Sequence, residues 1–239
     1  MRFLTLALLL MAAHTLMSQP TPTCSPTADT VTAVRAAREI ALNAQHPAAD
    51  WEKASPVTFC ADWQGHNADP TRMTEVRVLW TAQTLYLRFL CRYREIFVFE
   101  DSDANGRRDH LWDRDVAEAF LQPDPSRPRY YKEFEVSPNG MWIDLDIILG
   151  MNNDNPADLK SGLQRSVWLD PERHSWAAEL AIPMKGLTPN FDSKAVWRAN
   201  FFRVEGPREP RFYSAWQATR TPQPNFHVPE AFGKMVFGQ

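Results

Sequence analysis

The chain has few glycines and lacks the short motifs by which many enzymes are recognised. Only 9 of its 239 residues are glycine, and none of them lies in a G-x-G-x-x-G or G-x-x-x-x-G-K pattern, which excludes the usual loops that cradle nucleotide phosphates. The patterns G-x-S-x-G and H-E-x-x-H and a spaced Cys/His cluster are absent as well. Carboxylates are abundant, but none sits in a recognisable hydrolase motif. We therefore expect a protein that is not an enzyme.

A cluster of basic residues is also missing. Lys and Arg together number 26 against 29 Asp and Glu, the formal net charge is −3, and the basic residues are scattered along the chain. Binding to a phosphate backbone requires a basic stripe or patch. Nucleic acid is therefore not an expected partner.

Long apolar runs are confined to the N-terminus. Arg2 is followed by an uncharged apolar run over residues 3 to 13 and by the small residue Ser18, which predicts a secretory signal peptide over residues 1–18. No later stretch of about 18 apolar residues could anchor the chain, so stable membrane insertion is not expected. The residues before Cys24 do not form the small-residue box of a lipoprotein, so lipid anchoring is the weaker interpretation. We expect export to the periplasm or the extracellular space.

The remaining chain has the size of one domain. Residues 19–34 are rich in Pro, Thr and Ser and predict a flexible linker. Removal of the signal peptide leaves 239 − 18 = 221 residues, which one all-β domain can occupy. The sequence therefore predicts a single domain over residues 35–239.

Three cysteines, Cys24, Cys60 and Cys91, allow one disulfide and one free thiol in an exported protein. Cys60 and Cys91 each end a predicted strand, and neighbouring strands could bring them within bridging distance. The sequence favours a Cys60–Cys91 disulfide. The alternative is that both are small buried hydrophobic residues.

Alternation with a period of two residues recurs along the chain, whereas long stripes of period 3.6 do not, so the fold is predicted to be mostly β. Leu85 to Cys91 and Trp176 to Ile182 alternate apolar residues on one face. Asn139-Gly140 supplies the tight turn of a predicted hairpin, after which Trp142, Asp144 and Asp146 share a polar face typical of a binding or a solvated surface. Residues 150–165 are predicted to form a loop.

An acidic turn follows the predicted strand Leu85 to Cys91. Oxygen-bearing side chains recur at the first, third, fifth and ninth positions of a calcium-loop pattern, namely Asp101, Asp103, Asn105 and Asp109. The bidentate Glu expected at the twelfth position is replaced by Trp112, and Arg107 and Arg108 reduce the local negative charge. Calcium is therefore a candidate cofactor, and a plain acidic turn is the favoured alternative.

An ordered set of motifs resembles carbohydrate-binding module family 9, within the DOMON-like β-sandwiches, from about Asp50 to Phe237. The motifs are Trp51-Glu52-Lys53-Ala54, Val76-Arg77-Val78-Leu79-Trp80, Leu85-Tyr86-Leu87, Leu111-Trp112-Asp113-Arg114-Asp115 with Glu118 and Phe120, Tyr131-Lys132-Glu133-Phe134 with Asn139-Gly140, Glu179-Leu180-Ala181-Ile182-Pro183, Trp197-Arg198-Ala199-Asn200-Phe201, and Pro229-Glu230-Ala231-Phe232-Gly233. The resemblance implies an all-β fold, a two-sheet antiparallel β-sandwich of immunoglobulin or jelly-roll type with short helices in its loops.

The resemblance also implies a function and a site. Family members hold a sugar, or the end of a sugar chain, between two aromatic side chains, which correspond to Trp112 and Phe226, while a carboxylate corresponding to Glu118 binds hydroxyl groups. Asp115, Trp142 and Glu135 complete the predicted ligand-binding set, although the family has an Arg where this chain has Glu135. The implied partners are a carbohydrate ligand and a glycoside hydrolase, in support of carbohydrate catabolism.

Other interpretations remain open for the same residues. Trp112 could cover the edge of the core, and Glu118 could form a buried ion pair with Arg198 or Arg203. Some DOMON-like domains bind haem through Met, His or Lys side chains, for which Met141, Met151, Met184, His110 and His227 are candidates here. A purely structural envelope domain is a third interpretation.

Overall fold

The computed structural model describes Cys24, residues 28–151 and residues 157–239. The predicted signal peptide and half of the predicted linker, residues 19–23 and 25–27, lie outside these residues. The strands of the described part are β1 (Thr30–Arg35), β2 (Val57–Phe59), β3 (Thr74–Trp80), β4 (Thr84–Arg92), β5 (Val116–Gln122), β6 (Tyr130–Val136), β7 (Trp142–Ile148), β8 (Ala157–Asp158), β9 (Gln164–Asp170), β10 (Ser175–Pro183), β11 (Trp197–Glu205), β12 (Phe212–Ala215) and β13 (Gly233–Phe237).

Helices are short and lie in the connections. A single α-helical turn, α1, spans Met184–Leu187, and 3₁₀ helices span Ala49–Lys53, Pro70–Arg72, Leu111–Asp113 and Pro229–Ala231. Within the described residues, none of these helices has the length or the hydropathy needed to cross a membrane. The predicted all-β fold with short helices in its loops is confirmed.

The strands form two sheets that share β1. The larger sheet has the order β8-β7-β6-β5-β11-β13, with β12 beside β11, and the smaller sheet has the order β3-β4-β10-β9, with β2 beside β3. The first four residues of β1 pair with β13, and its last two pair with β3. Both pairings of β1 are parallel, whereas the other strand pairs of the two sheets are antiparallel, as the predicted antiparallel β-sandwich requires.

The main core lies between the two sheets and is rich in aromatic residues. Trp176 from β10 and Trp197 and Phe201 from β11 are almost completely buried in it. The predicted alternation is confirmed, because Leu85, Leu87, Phe89 and Cys91 of β4 belong to this core while Tyr86 points to the other face of the smaller sheet. Side chains alternate in the same way along β5. Ala117 and Ala119 point into the core, and Glu118 points to the outer face of the larger sheet.

The domain begins earlier than predicted. Residues 30–34 were assigned by composition to a flexible linker, but they form most of β1, whose Val31 and Ala33 are buried in the core. Each pairing of β1 occupies its backbone N–H and C=O groups, and these pairings hold the two sheets together at one edge. The part of this segment that forms the strand contains no proline and alternates Thr with Val and Ala, residues that suit a β-strand.

The disulfide joins Cys24 to Cys60, with a Cα–Cα distance of 5.1 Å, and Cys91 is a buried free cysteine. The predicted Cys60–Cys91 pair is wrong because β3 lies between the strands that carry these residues. Two strands that flank a third are about 10 Å apart, beyond the reach of a disulfide. Burial raises the pKa of the Cys91 thiol to about 11, so this thiol is unreactive at neutral pH.

Both outer faces of the sandwich are covered by irregular segments. Residues 36–54 cover the smaller sheet through a small apolar cluster that includes Ile40 and Trp51. The larger sheet is covered by residues on either side of β5 and β12, among them Leu111, Phe226 and Phe232, which pack on Phe120 and Phe202 of the sheet. This second cover leaves a cavity over the middle of the larger sheet.

Candidate functional site

A cavity of about 610 Å³ lies on the outer face of the larger sheet, beneath these segments. Its floor consists of alternate residues of four adjacent strands: Glu118 and Phe120 of β5, Glu133 of β6, Leu145 of β7 and Val204 of β11. Its walls come from the covering loops and include Phe97, Trp112, Arg211, Tyr213, Phe226 and His227. The cavity therefore combines aromatic walls with an acidic floor.

Three buried glutamates lie together at the acidic floor: Glu118 and Glu133 line the cavity, and Glu135 lies behind them. In the register of the sheet, Glu118 of β5 pairs with Glu135 of β6, and Glu133 lies two residues from Glu135 on the same face. Their exposed fractions are 3%, 0% and 3% for Glu118, Glu135 and Glu133. Among the described residues, Glu133 Oε2 and both carboxylate oxygens of Glu135 have no hydrogen-bond partner.

Burial and mutual repulsion change the ionisation of this cluster. Burial raises the pKa of Glu118 well above its usual value, and the neighbouring Glu133 charge raises it further. The pKa of Glu135 is likewise raised by burial and by the charges of Glu118 and Glu133. Close carboxylates cannot all ionise cheaply in a dry site, so Glu118 and Glu135 hold protons at pH values where an exposed glutamate has lost them.

Trp112 lies in the wall of the cavity, half-buried, within the 3₁₀ helix Leu111–Asp113. The guanidinium of Arg211 donates from Nη1 to the Trp112 carbonyl at 2.9 Å and from Nε to the Gly206 carbonyl. The indole ring packs on one side at 4.8 Å from the His110 ring. Arg211 thus fixes the turn that carries Trp112 relative to the loop after β11.

Phe226 lines the same cavity but is largely covered. Its ring stacks on Phe202 with a centroid distance of 4.2 Å and an interplanar angle of 13°, and Tyr213 meets it edge-on at 6.1 Å. Its exposed fraction is 8%. The chain therefore brings Trp112, Phe226 and Glu118 to one cavity, as predicted, while leaving little of the Phe226 ring open to a ligand.

Two of the predicted site residues lie elsewhere. Asp115 is fully buried, and its two oxygens accept backbone N–H groups of Phe97 and Gly206, so it connects the loops around the cavity and does not line it. Trp142 packs at the edge of the core between the sheets, with Arg165 5.2 Å from its ring centroid. The residues of β7 that face the cavity side are its apolar ones, which reverses the prediction for that strand.

The acidic turn is held by its own hydrogen bonds and ion pairs. One carboxylate oxygen of Asp103 accepts the N–H groups of Asn105 and Arg107. Asp109 pairs with Arg107 at 2.5 Å, and Asp101 with Arg108 at 3.5 Å. Within the described ranges, no three His, Cys, Asp or Glu side chains converge as a metal site would require. Calcium binding at this turn stays a prediction.

The structure also shows the contacts of the arginines considered as partners of Glu118 and of two residues considered as haem ligands. Arg198 donates to the carbonyls of Glu230 and Phe232, and Arg203 donates to that of Val116, so neither forms the predicted ion pair with Glu118 in the described part of the chain. Met184 is buried in the core between the sheets. A 2.5 Å hydrogen bond joins His227 Nδ1 to the Tyr131 hydroxyl.

Several cavity residues were not predicted as ligand-binding residues. Glu133 is recognisable from its alternation with Phe134, which places it on the face of Glu135. By contrast, Phe97, Arg211, Tyr213 and His227 come from irregular segments or from the short strand β12. No periodicity indicates which of their side chains points inward, so the sequence carries no signal for them.

Known proteins resemble this chain in sequence and in fold. The model of carbohydrate-binding family 9 matches residues 52–237. An extracellular protein of Arthroderma benhamiae is 26% identical over 183 residues, which are 70% of this chain and 80% of that protein. A crystal structure from Bacteroides uniformis, of a protein provisionally described as carbohydrate-binding, has a TM-score of 0.64 and 16% identity and covers 87% of this chain and 98% of its own.

A second solved structure is a family 9 module from Caldicellulosiruptor kristjanssonii in complex with glucose. It has a TM-score of 0.59 and 12% identity, and the alignment covers 88% of this chain and 96% of the module. These likenesses support the same two-sheet fold, and the family match spans most of the domain described above. The chain belongs to carbohydrate-binding family 9.

Proposed function

We propose that this protein is an exported, non-catalytic carbohydrate-binding protein that holds a sugar, or the end of a sugar chain, in the cavity over the larger sheet. The observation that carries the proposal is the meeting of Trp112, Glu118 and Phe226 in one cavity of a family 9 fold, although they lie far apart in the sequence. Family 9 modules with this fold have been crystallised with glucose and with cellotriose.

Trp112 is the stacking platform in this proposal. An indole ring offers a large flat surface to the C–H face of a pyranose, and Arg211 holds the backbone of Trp112 in place. Phe226 contributes the edge of an aromatic wall that is already stacked on Phe202. Glu118 and Glu133 lie on the floor, where carboxylate oxygens can accept hydrogen bonds from sugar hydroxyls.

Export is supported by the N-terminal pattern and by one relative. Residues 1–18 have the charge and hydropathy of a secretory signal peptide, and the relative from Arthroderma benhamiae is named an extracellular protein. A carbohydrate-binding protein outside the cell would serve carbohydrate catabolism together with a glycoside hydrolase. In this proposal, the hydrolase is a separate partner and this chain supplies recognition.

The test is a glycan array on the mature protein, followed by calorimetric titration of the sugars that bind, with glucose and cellotriose included. Trp112→Ala should weaken binding at least about tenfold, because stacking on an aromatic ring contributes on the order of 1–2 kcal/mol. Trp168→Ala is the matched control, since Trp168 is also half-buried but lies in β9 of the other sheet. The same titration with a chelator should give an unchanged affinity.

The outcomes separate the proposal from its alternatives. Loss of binding in Trp112→Ala with an unchanged melting temperature supports the proposal. An equal loss in Trp168→Ala, or unchanged affinity in Trp112→Ala, would place the sugar elsewhere. Absence of binding to every glycan on the array would reject a carbohydrate ligand.

A further inference from the structure

The glutamates of the cavity floor have no counter-charge bonded to them. Glu133 and Glu135 are at least 97% buried, yet three of their four carboxylate oxygens lack a hydrogen-bond partner among the described residues. Glu118 and Glu133 line the cavity, so the carboxyl groups of these two residues adjoin space that a ligand could fill. A buried carboxylate without a partner is costly for the fold, and a site that keeps several of them has an unmet need for hydrogen-bond donors and positive charge.

The nearby arginines direct their guanidinium groups to other partners. Arg211 gives Nε and Nη1 to the carbonyls of Gly206 and Trp112, and its remaining Nη2 lies 3.7 Å from Asp115. Arg203 is directed to backbone carbonyls and to Glu205. Arg114 lies over the rings of Phe97 and Phe99 at 4.3 and 4.4 Å. Arg211 and Arg203 lower the pKa of Glu118 through space, but in the described part of the chain neither makes a hydrogen bond to it.

The other charged residues that line the cavity do not reverse its excess of acidic groups. Asp113 and Glu209 also line it, together with Arg208, and Glu209 accepts the hydroxyl hydrogen of Tyr213 at the rim. Among the residues that line the cavity, four carboxyl groups, those of Asp113, Glu118, Glu133 and Glu209, stand against three guanidinium groups, those of Arg114, Arg208 and Arg211. The floor is where the excess of acid lies, because the arginines come from the covering loops.

We propose that the cavity selects a sugar that carries a protonated amine, an amino sugar, over the neutral hexose of the same shape. This inference rests on the proposed function. An ammonium group brings a positive charge and three N–H donors, which matches a floor of several acceptor oxygens, whereas a sugar hydroxyl donates one hydrogen and no charge. A metal ion fits less well, since no acidic cluster in the described residues has the arrangement of a metal site.

Binding of such a ligand would also change the protonation of the floor. Burial raises the pKa of Glu118 and of Glu135, and an ammonium group beside them would lower it again. The amino sugar should therefore displace protons into solution as it binds. A neutral hexose has no charge with which to do this.

The experiment is calorimetric titration of the full mature protein with glucosamine, glucose and N-acetylglucosamine at about pH 6, below the ordinary pKa of an amine. Glucosamine should bind about tenfold or more tightly than glucose, because charge-assisted hydrogen bonds are stronger than neutral ones. N-acetylglucosamine has the same ring with a neutral amide and should lose this advantage. Buffers of different ionisation enthalpy should report proton release for glucosamine alone.

Glu133→Gln tests the floor directly, because it keeps the shape of the side chain and removes the charge. It should reduce the preference for glucosamine over glucose, taken as the ratio of the two affinities in the same variant, to about twofold or less. The matched control is Glu230→Gln, which removes an equal charge from an exposed residue outside the cavity lining. Glu135→Gln is the second variant if Glu133→Gln fails to fold.

The results distinguish this inference from the function on which it rests. If glucose binds and glucosamine binds no better, the preference is overturned and the carbohydrate-binding function stands. A preference that survives both glutamine variants overturns the role of the floor. If no sugar binds, the proposed function fails first, and the inference fails with it.

Discussion

The two outer faces of the sandwich both bury glutamates beneath covering segments, but they treat them differently. On the smaller sheet, Glu179 accepts Arg88 Nη1 at 2.5 Å and the Asn43 N–H at 2.8 Å, so both of its oxygens are occupied. On the larger sheet, Glu133 and Glu135 keep oxygens without partners in the described structure. The first arrangement fastens a covering segment to its sheet, and the second leaves acceptors at the floor of a cavity.

The segments that cover the two sheets differ in the same way, because one bonds closely to its sheet and the other does not. Glu39, in the segment over the smaller sheet, accepts the hydroxyl hydrogens of Thr84, Tyr86 and Thr81. These bonds close that cover onto its sheet. Over the larger sheet, aromatic rings form the cover, and the cavity of about 610 Å³ remains between them and the glutamates. We infer that unmet acceptors mark the binding face and satisfied ones mark the structural face.

The largest effect is expected from breaking the satisfied pair. Arg88→Met should lower the free energy of unfolding by about 3 kcal/mol, because it leaves Glu179, which is fully buried, without its counter-charge. Denaturant unfolding at neutral pH measures it. A loss below about 1 kcal/mol would contradict a structural role for this pair.

Removal of a charge on the binding face should raise the free energy of unfolding instead of lowering it. Glu135→Gln should raise the free energy of unfolding by about 1–2 kcal/mol at neutral pH, since it removes a buried carboxyl that has no partner and adds N–H donors beside Glu118 and Glu133. Glu179→Gln is the control and should destabilise. Two changes of the same sign would remove the distinction between the faces.

The dependence of stability on pH gives a third comparison. The raised pKa of Glu118 and Glu135 means that the folded protein holds protons which the unfolded chain releases. This contribution to stability is complete below the ordinary carboxyl pKa, near 4.5, and is lost as pH rises through the raised values. Unfolding measured in steps from about pH 4.5 upward should therefore show a decline that Glu135→Gln reduces. An identical slope in the variant would contradict this assignment.

The smallest effect is expected at the rim of the cavity. Glu209 is exposed and accepts the Tyr213 hydroxyl hydrogen at 2.7 Å. Glu209→Gln should change the free energy of unfolding by less than about 0.5 kcal/mol, because exposed hydrogen bonds compete with water. A thermal melt of this variant beside Glu135→Gln checks the contrast. A large change would mean that this hydrogen bond at the rim contributes substantially to the stability of the fold.

Much of this architecture follows from alternation in the sequence. The pattern of β4 and β10 and the Asn139-Gly140 turn predicted strands, faces and a hairpin that the structure contains. The motif around Trp112 and Glu118, together with Phe226, predicted residues that share a cavity. These predictions succeed because a half-buried strand and a tight turn each have a local sequence signature.

The predictions that failed concern which strands are neighbours in a sheet and which face of a strand points toward the cavity. The disulfide partner of Cys60 depends on which strands are neighbours, and β3 separates the predicted pair. The face of β7 was misassigned because Trp142 lies at the edge of the core, while Leu145 lies at the cavity floor. A polar strand face does not by itself reveal which side of a sandwich carries the ligand.

The crystal structure of the mature protein with a sugar identified on the array tests the central claim most directly. We predict density for a sugar ring against Trp112, with its polar groups within hydrogen-bond distance of Glu118 or Glu133. A sugar bound on the smaller sheet, or on the larger sheet away from Trp112 with these carboxylates untouched, would contradict the account.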